Sequence, residues 1–239
     1  MAAAELLQGG SIWQLQAAID GYSGRHGPGL ATQVWAGRFL QVLEPAAAGS
    51  RLRARLLDDG YPCWLETADL LGQAIATSAP APRLLDAEAI RARVPQVLDF
   101  GQTALQRANT YLWGGSLGPD YDCSGLVQRA YASAGIWIPR DAYLQERFCQ
   151  AVAVRPGVFH ALRPGDLIFF GTPQRCTHVG LHLGEGRYLH SSGQEHGRNG
   201  LGIDDLAPQN PDPVASHYRR QLRGAGRVMR CHDGSPLPQ

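Results

Sequence analysis

The sequence predicts an α+β protein in which a small β-barrel precedes a domain of helices packed on an antiparallel sheet. Three observations carry this prediction. Short apolar runs separated by turns fill the N-terminal part, a Pro- and Ala-containing stretch follows, and helical patterns then precede a hairpin pattern. With 239 residues, the chain has room for two modest domains that each bury a core.

The barrel is predicted from about five short strands, a number typical of small barrels. Residues 51–57 give the clearest strand, because charged and apolar side chains alternate there as on a half-buried surface. Residues 12–19 alternate in part and are interpreted as one strand, and residues 20–29 are rich in turn-forming residues. Together these segments favour an all-β N-terminal domain.

The two domains are predicted to be joined by a linker. Pro80 and Pro82 lie close together in a stretch of small residues, which is typical of a connecting segment. We therefore assign residues 1–71 to the barrel, residues 72–86 to the linker and residues 87–239 to the second domain.

The second domain is predicted to place its helices before its sheet. Asp86 is a suitable cap for a helix from Ala87 to about Asn109, which Pro95 is expected to divide or kink. A shorter helix is expected at residues 141–149. We predict strands at residues 167–170, 177–183, 187–191 and 226–230.

Composition excludes several classes of partner. The charged fraction is 18% and the net charge is +1, so no strong field favours nucleic acid or a membrane surface. No apolar run is long enough for a membrane span. The N-terminus lacks the features of a secretory signal, and the five cysteines form no CxxC pair. We expect a monomer without metal or other cofactor in the reducing cytoplasm, or in the periplasm or medium if a signal peptide has been removed.

Cys123 stands out among the cysteines as a candidate nucleophile. It follows a Gly-rich loop and precedes a helical pattern that ends at Gly135, and either Asp122 or Ser124 could cap the helix. A helix N-terminus stabilises a thiolate, so we expect the pKa of this thiol to be lowered. The other cysteines have no organised context and are interpreted as small buried apolar residues: Cys63, Cys149, Cys176 and Cys231.

A thiol nucleophile needs a base, and a predicted hairpin supplies two imidazoles. If a three-residue turn closes the hairpin, Leu183 pairs with Arg187 and Gly180 pairs with His190. His178 then lies diagonally from His190 on the same face, with space left by the glycine. The pattern favours His178 as the base and requires a third group to orient it.

Two other interpretations of these histidines remain open. A single histidine on a strand is more often satisfied or exposed than catalytic, and His182 shares the alternation of His178 without an evident task. A zinc site formed by His178, His182 and His190 would suit three imidazoles. That site would leave the organised junction at Cys123 without a purpose.

Several ordered motifs in the second domain resemble one family. They are YLWGG, DCSGLVQRAY, IPRDA, RPGDLIFF and HVGLHLGEGRYLHSSG. From about Ala87 to Arg230 the chain resembles the NlpC family of papain-like bacterial cell-wall cysteine peptidases. The resemblance implies that Cys123 is the nucleophile, His178 the general base and then acid, and His190 the orienting residue. It also implies that the Tyr111 hydroxyl and the Cys123 N–H assist the oxyanion.

The N-terminal segment DDGYPCWLETADL is similar to bacterial SH3-like domains. An SH3-like domain before this peptidase resembles the subgroup that cleaves the γ-D-glutamyl–diamino acid bond of peptidoglycan stem peptides with a free N-terminal L-Ala. That resemblance implies that Tyr61 closes the pocket and Asp122 binds the ammonium, while Ser124 and Arg140 contact the D-Glu carboxylate. Alternatively, Tyr61 is barrel core and Arg140 a surface charge.

The expected function is therefore hydrolysis of stem peptides, with muropeptides as partners, in peptide recycling or wall turnover. The diamino acid is diaminopimelate or Lys. A non-catalytic protein that binds wall peptides is one alternative, and a thiol amidase or acyltransferase of the same fold is another.

Overall fold

The chain forms two structural units in a computed structural model that describes residues 1–46 and 50–237. The first unit comprises Met1–Leu84 together with the C-terminal segment from His232, and the second comprises Leu85–Cys231. The boundary between the two units and the C-terminal limit of the second unit both differ from the predicted ones. Residues 74–76 of the predicted linker form a strand of the first sheet, and residues 232–237 belong to the first unit instead of the second.

Within the described residues, the first unit is built on a seven-stranded antiparallel sheet. Its order is β3-β2-β6-β5-β4-β1-β7, and a one-turn helix, α1 (Thr67–Leu70), follows β6. The strands are β1 (Ile12–Leu15), β2 (Ile19–Tyr22), β3 (Leu30–Val34), β4 (Phe39–Glu44), β5 (Arg51–Leu56), β6 (Pro62–Glu66) and β7 (Ala74–Ala76). The core contains Trp13, Leu40 and Leu52.

Two strand predictions for this unit had different outcomes. The alternation in β5 is confirmed, since Leu52, Ala54 and Leu56 are fully buried. The prediction of one strand over residues 12–19 was wrong, because the chain turns after β1 and begins β2 at Ile19. That second strand extends into the segment that was interpreted as turn-rich.

The second unit packs helices against a six-stranded antiparallel sheet, as counted over the described residues. The sheet order is β12-β11-β10-β9-β13-β8. Its strands are β8 (Gln150–Val152), β9 (Leu167–Gly171), β10 (Cys176–Gly184), β11 (Arg187–Ser192), β12 (Gly200–Asp205) and β13 (Leu222–Arg227). The helices are α2 (Ala87–Leu105), α3 (Cys123–Ser133), α4 (Ala142–Phe148) and α5 (Pro213–Arg220).

The predicted α+β class is confirmed, and the differences within it are local. Pro95 neither divides nor ends α2, which runs past it to Leu105. The last strand begins at Leu222, earlier than predicted. Strand β12 was missed, since its glycines at 200 and 202 weaken the strand pattern.

The hairpin of β10 and β11 keeps the predicted register at the end that carries the imidazoles. Leu181 pairs with Leu189, which aligns Gly180 with His190. The predicted pair of Leu183 with Arg187 was wrong, because a bulge brings Gly184 opposite Arg187.

Gly180 makes room for the ring of Tyr188, whereas we expected it to leave open space between the two histidines. A Cβ atom at this position would lie 2.6 Å from Cδ2 of Tyr188. The close approach of that ring therefore depends on the glycine.

Candidate active site

Cys123 is the first residue of α3 and lies in the core of the second unit. Asp122 caps the helix, since one of its carboxylate oxygens accepts the N–H of Gly125 at 2.6 Å. The other oxygen accepts the N–H of Gly114 at 2.9 Å, which ties the preceding loop to the helix. Leu126 and Val127 are fully buried beneath. The predicted loop-to-helix junction and its cap are thus present.

Arg140 reaches Asp122 from the segment between α3 and α4. Its two terminal nitrogens donate to the two carboxylate oxygens at 3.0 and 2.7 Å, and one also donates to Ser124 Oγ at 3.0 Å. Arg140 is 1% exposed and is therefore not a surface charge. Its guanidinium faces Asp122, whereas the sequence led us to expect it on a substrate carboxylate.

His178 and His190 lie on adjacent strands and contact each other directly. Nε2 of His178 is 2.7 Å from Nδ1 of His190, and the two rings are nearly perpendicular at 86°. Tyr218 of α5 stacks on the His178 ring with centroids 4.1 Å apart. The Tyr218 hydroxyl hydrogen-bonds Ser192 Oγ at 2.8 Å, so the stacking ring is itself fixed.

The thiol packs beside the strand that carries these rings. Cys123 and Val179, the residue after His178, belong to one buried cluster, and the thiol hydrogen-bonds the Val179 backbone. The structure therefore brings together the predicted nucleophile, base and orienting residue. Because His190 occupies Nε2 of His178, Nδ1 is the nitrogen available to a thiol.

A carboxylate that the sequence did not single out lies behind the imidazoles. Asp204 Oδ2 on β12 is 2.6 Å from Nε2 of His190, and Arg198 donates to Asp204 Oδ1 at 2.7 Å. Asp204 is 5% exposed. No local motif marks Asp204, and only the pairing of β12 with β11 brings it to the histidine.

The pKa of the Cys123 thiol moves in the direction opposite to our expectation. Burial raises it to about 12, with a further contribution from Asp122. Hydrogen bonds with the backbone of Val179 and Ser124 and the charge of Arg140 oppose the rise. Desolvation outweighs the pKa-lowering effect of the helix N-terminus, because Cys123 is 7% exposed and an acidic cap already faces the positive end of the helix.

The pKa of His178 is well below its ordinary value of 6.5, first because of burial and then because of His190, His196 and His217. Near neutral pH the resting site therefore holds a neutral thiol and a neutral imidazole. Such a pair can transfer its proton as the sulfur attacks a carbonyl carbon, with the imidazole as a general base.

Two protein families match this chain. Residues 108–220 match the NlpC/P60 family, and residues 22–70 match the bacterial dipeptidyl-peptidase SH3 domain. The second unit carries an NlpC/P60 domain. The first unit correspondingly carries a bacterial SH3 domain, and the predicted family resemblance is confirmed for both units.

Curated relatives resemble the chain over about half of its length. A bifunctional muramidase/DL-endopeptidase of Bacillus subtilis is 34% identical over 55% of this chain and 37% of its own length. A γ-D-glutamyl-L-lysine dipeptidyl-peptidase of Bacillus cereus is 33% identical over 57% and 37%. Dipeptidyl-peptidase 6 of Lysinibacillus sphaericus is 37% identical over 46% and 36%. The matches thus span little more than a third of each of these relatives.

Tyr111 lies in the loop before α3 of the NlpC/P60 domain. It bridges to Tyr121, and its backbone N–H donates to Asn199 Oδ1 at 3.3 Å. Burial raises the pKa of its hydroxyl, followed by the charges of Cys123 and Asp122. A neutral phenol whose pKa responds to the charge of the nearby thiol is a suitable hydrogen-bond donor. The role of the Tyr111 hydroxyl at the oxyanion stays a prediction.

Tyr61 belongs to the SH3 domain, at the entry to β6. It is partly buried against the core of that domain, and its backbone N–H donates to Asp59 Oδ1 at 3.1 Å. The predicted part of Tyr61 in closing a substrate pocket stays a prediction.

His182 has a structural task within the NlpC/P60 domain. Its Nδ1 lies 2.9 Å from the carbonyl oxygen of Arg163, and its Nε2 accepts the N–H of Gly186 at 3.2 Å. Both ring nitrogens are therefore occupied, which removes His182 from the alternative zinc site. Among the residues that the structure describes, no group of three or more His, Cys, Asp or Glu side chains has the arrangement of a metal site.

The remaining cysteines are free thiols, and Cys63, Cys176 and Cys231 are buried as expected. Cys149 is an exception, since it is only partly buried. None of the helices formed by residues 1–46 and 50–237 has the length and apolar character that a membrane span requires.

Proposed function

We propose that this protein is a cysteine peptidase that hydrolyses the γ-D-glutamyl–diamino acid bond of peptidoglycan stem peptides carrying a free N-terminal L-Ala. The observation that carries the proposal is a buried thiol packed in one cluster with the strand that carries two hydrogen-bonded imidazoles, in an NlpC/P60 domain that follows an SH3 domain of the dipeptidyl-peptidase type. Two relatives with dipeptidyl-peptidase names support the finer substrate assignment.

The reaction begins with proton transfer from Cys123 Sγ to Nδ1 of His178 as the sulfur bonds to the γ-carbonyl carbon. The carbonyl π electrons move to oxygen, and the Tyr111 hydroxyl and the Cys123 N–H donate hydrogen bonds to the oxyanion. When the tetrahedral intermediate collapses, the C–N bond breaks and His178 returns the proton to the leaving amine.

The second half of the reaction hydrolyses the thioester. Water gives a proton to His178 and its oxygen bonds to the acyl carbon. The intermediate then expels the sulfur, which regains the proton, and L-Ala-γ-D-Glu leaves.

Substrate selection is proposed to centre on Asp122, whose carboxylate attracts the ammonium group of L-Ala. Because Arg140 forms two hydrogen bonds with that carboxylate, its first task is to hold Asp122 in position. Contact of Arg140 or Ser124 with the D-Glu carboxylate would require a shift away from Asp122.

The direct test is incubation of L-Ala-γ-D-Glu-meso-diaminopimelate and its L-Lys counterpart with wild type and Cys123→Ala, with products identified by mass spectrometry. We expect release of L-Ala-γ-D-Glu by wild type and a loss of several orders of magnitude in the variant. The N-acetylated peptide is the matched control, and we expect it to be cleaved poorly.

Absence of cleavage by wild type, or equal cleavage by the folded variant, would refute a cysteine peptidase. Binding of the peptides without turnover would favour the non-catalytic alternative. A product in which the glutamyl group has been transferred to an amine would favour the acyltransferase alternative.

The proposed setting is recycling of free stem peptides by a cytoplasmic monomer. Cell fractionation and size-exclusion chromatography test the location and the oligomeric state. Faster release from intact cell walls than from free peptides would contradict the recycling role.

A further inference from the structure

The geometry points to Asp204 as a positioning residue that acts through His190 to fix the tautomer of His178. Asp204 lies on β12, His190 on β11 and His178 on β10, so the three side chains form a line across adjacent strands. The inference rests on the proposed function, because it concerns the path of the thiol proton.

The protonation pattern follows from the carboxylate end of this line. An ionised carboxylate can only accept hydrogen bonds, so the 2.6 Å contact requires Nε2 of His190 to carry a hydrogen. Nδ1 of the neutral His190 ring then holds a lone pair and accepts from Nε2–H of His178 at 2.7 Å. Nδ1 of His178 is thereby left with its lone pair, as a base requires.

Arg198 and Gly202 keep the carboxylate in this orientation. Arg198 donates to the carboxylate oxygen that does not face the histidine. A Cβ atom at position 202 would overlap the Arg198 guanidinium. The arginine can therefore lie over the strand only because Gly202 has no side chain. Arg198 thus holds one oxygen of Asp204, which leaves the other directed at His190.

The substitution Asp204→Asn should reverse the direction of each hydrogen bond along this line. Arg198 donates hydrogen bonds and therefore selects the carbonyl oxygen of the new amide, which turns its NH₂ group toward His190. Nε2 of His190 must then accept, Nδ1–H donates to Nε2 of His178, and Nδ1 of His178 carries the hydrogen. A base in that tautomer cannot take the thiol proton.

For this variant we expect kcat to fall by about 10²–10⁴-fold with little change in KM, as expected when a general base is held in the wrong tautomer. The matched control is Asp205→Asn on the same strand. The Asp205 carboxylate bonds the Ala207 N–H and the Asn210 amide, so its replacement should leave kcat nearly unchanged.

The double variant Arg198→Met/Asp204→Asn separates tautomer control from simple structural damage. Without the arginine, the amide is free to turn its oxygen toward His190, which restores the original tautomers. We expect kcat to recover at least about tenfold relative to Asp204→Asn alone. A purely structural role predicts no recovery, because removing a second member of the network does not repair the loss of the first.

The readout that does not depend on turnover is ¹⁵N NMR of the imidazoles. In wild type we expect His178 to carry its hydrogen on Nε2, and in Asp204→Asn on Nδ1. The same tautomer in both proteins, or wild-type kcat in the folded single variant, would overturn the inference. Tautomer reversal in a protein that cleaves no stem peptide would uphold the inference and refute the proposed function.

Discussion

Each unit of this protein contains a buried arginine paired with aspartate, and the two clusters stabilise different kinds of local structure. In the SH3 domain, Arg38 pairs with Asp58 and Asp59, both at 3.0 Å. In the NlpC/P60 domain, Arg140 pairs with Asp122 at 2.7 Å. Both arginine side chains are 1% exposed.

In both clusters an aspartate also accepts a backbone N–H. Asp59 accepts from Tyr61 and so shapes the turn before β6, whereas Asp122 accepts from Gly125 and so caps the helix that begins at Cys123. The charge balance differs, since one arginine serves two carboxylates in the first cluster and one in the second. The same pairing thus supports a turn in one unit and the candidate active site in the other.

The largest effect is expected when the balance of the first cluster is broken by Arg38→Met. Two buried or nearly buried carboxylates then lose their cation, which should lower the free energy of unfolding by about 3–5 kcal/mol. Chemical denaturation measures this loss. A variant as stable as wild type would show that the cluster is dispensable for the barrel.

Arg140→Met sharpens the comparison, because Asp122 keeps the N–H groups of Gly114 and Gly125 as partners. We expect a smaller loss of stability, about 1.5–3 kcal/mol, on the scale of a hydrogen bond to a charged group. The turnover number should fall as well, since the cap beside Cys123 loses its orientation. A larger stability loss than in Arg38→Met, or unchanged turnover, would contradict the distinction.

Acidification should lower the stability of the second unit through its buried histidines. Burial lowers the pKa of His178, His190 and His182 below 6.5, all in the second unit. Their neutral forms are retained when folded, so their contribution to stability is present above about pH 6.5 and is lost as the pH falls through the lowered values. We expect the free energy of unfolding to decrease between pH 7.5 and 5.

The variant His182→Gln is the control for this pH effect. It removes one buried imidazole outside the candidate active site and should reduce the slope of stability against pH without abolishing it. A flat profile in wild type, or a slope that the variant leaves unchanged, would contradict the assignment.

The smallest effect is expected at a helix cap without a buried arginine. Asp86 caps α2 by accepting the Ala89 N–H at 2.8 Å in an exposed position. Asp86→Ala should cost about 1 kcal/mol of stability and leave turnover unchanged. A loss as large as that of Arg140→Met would mean that capping alone explains the second cluster.

Local sequence patterns predicted the parts of the candidate site that depend on one element or one hairpin. The cap and helix at Cys123 follow from neighbouring residues, and the shared face of His178 and His190 follows from strand alternation. Asp204 escaped prediction because it reaches His190 only through the register of another strand pair.

The direction of the thiol pKa escaped prediction for a related reason. Cys123 is buried in a cluster that includes residues far from it in sequence, such as Val179 and Ile138, and no pattern near the cysteine encodes that cluster. Arg140 was likewise assigned to the substrate because its pairing with Asp122 spans the whole of α3.

The line from Asp204 through His190 to His178 crosses three neighbouring strands. Its spacing is therefore set by the separation of hydrogen-bonded strands, about 4.8 Å, and by side-chain length. The turn between β10 and β11 can therefore change in length without altering the distances along the line, whereas the connection between β11 and β12 carries Arg198 and is constrained by its contact with Asp204. Variation in length is thus expected at the hairpin turn before it is expected beside Asp204.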